Sequence, residues 1–154
     1  MASHLQRRGR GVVVAAAVAL AVAAAVAASR IQHVSADAVS LSMTFIDLLR
    51  AGELDKAYEL TVMSDDVGRD LKGFADKVRR EGVEGGARTG AAEMREVRPF
   101  QSYGNRLRRW INGESVDQTE ANVDFSVGGV PFKVGLVRFK DGRWRVRNFQ
   151  SHAA

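Results

Sequence analysis

Asp47, Tyr58, Asp76, Tyr103 and Asp124 are the side chains of this chain best suited to trade a proton with a bound molecule. A carboxylate drawn into apolar surroundings keeps its proton toward neutral pH and can then serve as an acid or base. Their spacing singles out no pair, and helix caps and surface charges account for them without a pocket. The three histidines, His4, His33 and His152, are not spaced as metal ligands, and no carboxylates are grouped with them. No metal and no cofactor is expected. The glycines between Gly82 and Gly90 lack the lysine and the strand-to-helix setting of a phosphate-binding loop. With no cysteine in the chain, thiol nucleophiles, thiolate zinc sites and disulfides are excluded. No catalytic constellation is recognisable, and the chain reads as a non-enzyme.

The cations offer a different chemistry. Arg143, Arg145 and Arg147 recur at period two, so one strand face could meet phosphate, anionic lipid or an acidic partner, or be a solvated face. Arg106, Arg108 and Arg109 beside Trp110 have the interleaving of basic and aromatic groups that single-stranded nucleic acid favours. The formal charge of +5 points the same way until it is located. Setting Arg7, Arg8, Arg10 and Arg30 aside leaves nineteen of the 23 basic residues against all 18 acidic ones, so the part after Arg30 is nearly neutral. Nucleic acid is therefore not an expected partner.

Those first arginines belong to an address. From Gly11 to Ala28 the chain has no charge, no polar side chain and no proline. Eighteen residues at helical rise cover about 27 Å, close to the ~30 Å hydrocarbon core of a bilayer. The arginine cluster then stays in the cytoplasm and the rest is exported. Ala21-Val22-Ala23 and Ala25-Val26-Ala27 also fit the small-x-small pattern of a signal peptidase. The expected division is a basic segment over 1–10, an anchor or uncleaved signal over 11–28, a linker over 29–36 and one extracytoplasmic domain over 37–152. The address is a bacterial inner membrane with the domain outside, or periplasmic or secreted if the segment is cleaved.

Within that domain, Ser35 or Asp37 can cap a helix whose Ala38, Leu41, Phe45, Leu48 and Leu49 share one face, and Gly52 ends it. A short helix with Leu54, Ala57 and Tyr58 follows. Ser64-Asp65-Asp66 offers a cap for a third, with Val67, Leu71, Phe74 and Val78 on one side. From Met94 the period turns to alternation, with Pro99 restricting the first strand to a peripheral place. Leu107, Arg109 and Ile111 alternate with Arg108 and Trp110, which reads as a strand ending in an Asn112-Gly113 turn. Gly128-Gly129 joins two more strands, pairing Phe125 with Phe132 and Val123 with Val134. A two-residue loop, Asp141-Gly142, would set Phe139 opposite Trp144 and need a bulge near Gly135 to keep Val134 and Leu136 on the face of Trp144. The favoured three-residue loop, Lys140-Asp141-Gly142, sets Arg138 opposite Trp144 and Leu136 opposite Val146, with no bulge required. That register leaves Val137, Phe139 and Phe149 outside among Arg143, Arg145 and Arg147. The class is α+β, an N-terminal transmembrane helix followed by helices on a curved antiparallel sheet.

The fragments FIDLLRAGELDKAYELT and VGLVRFKDGRWRVRNF resemble the nuclear-transport-factor-2-like (cystatin-like) superfamily, especially its small membrane-tethered bacterial members. The resemblance covers roughly Asp37 to His152. It implies a sheet curled around the long helix as a cone-shaped roll, whose open end is a pocket in some members and is filled or used for association in others. The leading expectation is a membrane-tethered, non-catalytic interaction or assembly domain. Its outer sheet face, Val137, Phe139, Arg143, Arg145, Arg147 and Phe149, would meet a protein partner or a second copy. The alternative is a small-ligand or isomerase-like pocket lined by Phe45, Leu49, Tyr58, Phe74 and Trp144.

Overall fold

An uninterrupted helix, α1 (Ser3–Gln32), carries the alanine–valine run. The computed structural model describes residues 3–32, 34–83, 91–99, 101–115 and 117–151, and the side chains of all of these except 3–13 and 29–32. Among the described residues no helix is long and apolar enough to cross a membrane. The run expected to do so begins at Gly11; its first three residues, and Arg7, Arg8 and Arg10 before them, lie outside the described side chains. His33, His152 and most of the glycine-rich segment, residues 84–90, also lie outside the described residues.

Ser35 caps α2 (Ala36–Ala51), its hydroxyl accepting from the Asp37 amide at 3.3 Å. The helix buries Ala38, Ser42, Phe45, Ile46 and Leu49, and ends at left-handed Gly52, where the Glu53 amide reaches back to the Leu48 carbonyl at 2.9 Å. The short α3 (Leu54–Glu59) buries Ala57. The next helix, α4 (Leu71–Glu81), starts later than Ser64-Asp65-Asp66 suggests. Those residues form a turn bridged between Ser64 and Gly68, and the cap is Asp70, whose carboxylate accepts from the Gly73 amide at 2.7 Å. Val67 is buried from that turn, whereas Leu71 is 40% exposed.

Four antiparallel strands follow in the order of the chain: β1 (Ala92–Pro99), β2 (Glu120–Val127), β3 (Val130–Arg138) and β4 (Trp144–Ser151). The fold is therefore α+β. The β2–β3 register is the expected one, with Val123 opposite Val134 and Phe125 opposite Phe132. The Lys140–Gly142 loop also forms as expected. The Gly142 amide donates to the Phe139 carbonyl at 3.0 Å, Gly142 takes φ 84°, and Arg138 and Leu136 stand opposite Trp144 and Val146.

The segment expected to be a strand before β2 is a helix, α5 (Tyr103–Ile111). Five alternating residues cannot distinguish the two periods, and the end signals decide. Ser102 accepts from the Asn105 amide at 3.4 Å, and Gly113, at φ 71°, terminates the helix as the Glu114 amide meets the Arg109 carbonyl at 2.9 Å. Asn112-Gly113 is a helix terminus instead of a hairpin. The sheet closes without this segment because β1 pairs directly with β2.

The core lies between the sheet and the helices. α2 touches all four strands, and Phe45, Ile46, Leu49, Phe74 and Val78 meet Val123, Phe125, Phe132, Val134, Leu136 and Val146 there.

Candidate functional site

The five residues expected to line a pocket do come together, but they fill the space between α2, α4 and the sheet. Phe45, Leu49 and Phe74 have 0% exposure, and a residue lining a void large enough for water would show accessible surface. Phe74 stacks edge-on against Phe45 at 6.3 Å, and the half-buried Tyr58 ring lies 5.3 Å from Phe74. Trp144, 8% exposed, closes one end of the inner sheet face. These are packing contacts.

The outer face differs from expectation at Phe149. Between Gly135 and Leu136 the opposite residue jumps from Asn148 to Val146, so Arg147 has no counterpart and the strand bulges. The extra residue reverses the facing of everything after it. Phe149 turns inward, opposite Val134, and becomes fully buried at the centre of a cluster with Phe45 at 5.4 Å, Phe74 at 5.7 Å and Phe132 at 6.1 Å. It is core, not interaction surface. Of the remaining apolar pair, Val137 is half-buried and Phe139 is 43% exposed beneath the Arg145 guanidinium, 5.6 Å from the ring centre.

The three arginines act separately. Arg147 donates to Glu120 at 2.8 Å, Arg143 faces Asp141 at 3.8 Å, and Arg145 donates to the Thr61 carbonyl at 3.5 Å. This last contact belongs to an edge cover. The Val62 and Val146 amides donate to the Val146 and Leu60 carbonyls at 2.8 and 2.9 Å, so Leu60–Val62 pairs part of the edge that β4 would otherwise expose.

Toward β1 the outer face carries a shallow groove of about 270 Å³, lined by Arg95, Glu96, Arg98, Asp124, Pro131 and Lys133. Arg98 donates to Asp124 at 2.5 Å, and that bond together with Asp124's charge raises the Arg98 pKa above its ordinary value. Opposite charges therefore meet inside the groove. The sequence carried no local sign of it, because it depends on the β1–β2 register and on a bulge between Met94 and Glu96.

The proton-exchanging candidates are dispersed. Asp47 sits on α2, 3.9 Å from Arg50; Asp76 pairs with Arg79 on α4; Tyr103 is exposed on α5; and Asp124 belongs to the groove. No known protein family, curated protein or solved structure matches the chain. What the domain can do is therefore read from its own surfaces.

Lys77 supplies the folded part with a titration of its own. Its ammonium donates to the Asn148 amide oxygen at 3.1 Å and lies 4.9 Å over the Phe149 ring. Burial pushes its pKa below the ordinary lysine value, outweighing the upward pull of Glu81 and Asp66. Between that lowered value and about 10.4 the unfolded chain holds the proton and the native one does not, so stability should rise with pH there. Urea unfolding across that window should show the rise in the parent chain and its loss in Lys77→Met.

Proposed function

We propose that this chain is a membrane-tethered, extracytoplasmic interaction or assembly domain without catalytic activity, hung from one N-terminal span. The observation that carries the reading is the surface of α1. Val14, Val18, Leu20, Val22 and Val26 are each more than half exposed, Leu20 at 72%. At 100° per residue the valines wind along one side and Leu20 faces away from them, so the apolar surface is not confined to one face. A helix apolar all round needs lipid or protein about it. The preceding arginines give the orientation, with the N-terminus inside.

For the folded part, the filled core favours work at the surface. The alternative, a small-ligand or isomerase-like pocket, would need accessible surface at Phe45, Leu49 and Phe74, which have none. The finer fold reading is a cone-shaped cystatin-like roll of the nuclear-transport-factor-2-like superfamily. It draws support from the order of elements, a long helix and two shorter ones before the sheet, and from the way α2 lies across the strands.

Because the chain has no cysteine, topology can be tested against an empty background. A single cysteine at Asp55 should react with a membrane-impermeant maleimide in intact cells, and one at Gln6 should react only after lysis. Labelling in the reverse pattern would overturn the reading. The intact mass of the membrane-extracted chain separates a retained anchor from a cleaved signal.

The association role has its own test. Phe139→Asp should leave stability within about 0.5 kcal/mol, as exposed positions do, while weakening association through the outer face. Sedimentation of the full chain in detergent at several concentrations reads both branches. A concentration-independent monomer for parent and variant alike removes self-association through this face.

A further inference from the structure

We propose that α5 rests on the anionic phospholipid surface where α1 leaves the bilayer, with Tyr103, Trp110 and Ile111 set among the headgroups and Arg108 against their phosphates. The inference rests on the tethered reading and adds to it a second, peripheral contact.

α5 is turned inside out. Its Arg106 is 2% exposed, whereas Tyr103, Trp110 and Ile111 are 49%, 51% and 70% exposed. Helical spacing puts Tyr103, Leu107, Trp110 and Ile111 within an arc of about 100°, so these side chains form one apolar stripe instead of scattered exceptions. A soluble helix directs such a stripe at its own core. This one directs three of the four outward.

Position says what covers the stripe. α5 touches α1, and among the described side chains of α1 partial burial begins at Ala27 and Ala28, where the uncharged run ends. In the tethered reading those alanines stand at the outer end of the span, so α5 is held at headgroup depth. Tryptophan and tyrosine favour that layer because it accepts an apolar ring and a polar tip together. The cation is also available. Arg109 faces Glu114 at 3.2 Å, while Arg108 is exposed next to Ile111 on the helix surface. A short amphipathic helix with aromatic and basic edges is the kind that lies in an interface.

The chain has two tryptophans, so Trp144→Phe leaves Trp110 as the reporter, and Trp110→Phe supplies the core baseline. The full chain would be reconstituted into vesicles of phosphatidylethanolamine and phosphatidylglycerol, with acyl chains brominated near the glycerol end. Trp110 should lose about half its emission to the bromines, since interfacial helices bury their apolar face about 5–10 Å into this layer. Arg108→Glu, or replacement of the anionic lipid by phosphatidylcholine, should reduce that quenching about twofold by removing the headgroup attraction. Trp110 emission that is untouched by bromine and quenched by aqueous iodide overturns the inference. Emission shielded from both quenchers does so too, because a protein or a second copy then covers the stripe. Alkaline extraction of the same vesicles separates the two levels: a chain that stays bound with a wet Trp110 refutes the α5 contact alone, whereas a chain released from the lipid refutes the tether as well.

Discussion

Phe149→Ala is expected to cost about 3–5 kcal/mol of stability, the range for removing an aromatic ring from a core. The ring is fully buried and meets Phe45, Phe74 and Phe132 at 5.4 to 6.1 Å, so no neighbour can move in without leaving its own contacts. It also lies under Lys77, and the truncation would leave that ammonium above a void. A domain of this size holds only about 5–15 kcal/mol in total, so one ring carries a large share. Denaturant unfolding of the full chain in detergent measures the loss, with Arg145→Ala as a surface reference expected within about 0.5 kcal/mol. Without the bulge at Arg147, Phe149 would lie on the outer face and the two variants would behave alike. Equal stabilities would therefore refute the register.

That bulge marks where local reading of the sequence stops. The pairs Val123–Val134 and Phe125–Phe132 follow from Gly128-Gly129 and strict alternation, and the Leu136–Val146 pair follows from the geometry of the Lys140–Gly142 loop. Each member of these pairs lies within five residues of its turn. Beyond Val146, unbroken alternation puts Asn148 and Gln150 on the core face and Phe149 in water. Two polar residues inward and one phenylalanine outward was a visible sign that a residue had to be skipped. α5 shows the same limit from the other side. Alternation over Leu107–Ile111 needs Arg109 on the apolar face, while Ser102 and Gly113 stand where a nine-residue helix wants its ends. The caps of α2 were legible because one serine and one glycine bracket a long periodic run. The cap of α4 was not, because Ser64, Asp65 and Asp66 compete with Asp70 and only the turn across Ser64 and Gly68 decides between them. The outer groove lay beyond reach altogether, since Arg98 and Asp124 meet only after two strands have found their register.

Leu20→Arg should release the chain from membranes. In the tethered reading the uncharged run draws its insertion from six valines and Leu20, with alanine near neutral, for about −2 to −4 kcal/mol in all. Arginine at the centre of a span adds about 2.5–3.5 kcal/mol and forfeits the leucine, which brings the sum to around zero. Leu20 is near the midpoint of Gly11–Ala28, about 13 Å of helix from either end, too deep for the guanidinium to reach water without dragging the helix or the lipid with it. A change of roughly 3 kcal/mol shifts partition on the order of a hundredfold, enough to turn a retained protein into a released one. Alkaline extraction of membranes from cells making the full chain gives the readout, with Leu20→Val as a control expected to remain in the pellet. Should Leu20→Arg stay bound as firmly as the control, α1 does not cross the bilayer and another surface holds the protein there. Should the parent chain itself be released at full length, there is no tether, and the exposed valines of α1 must be covered by protein.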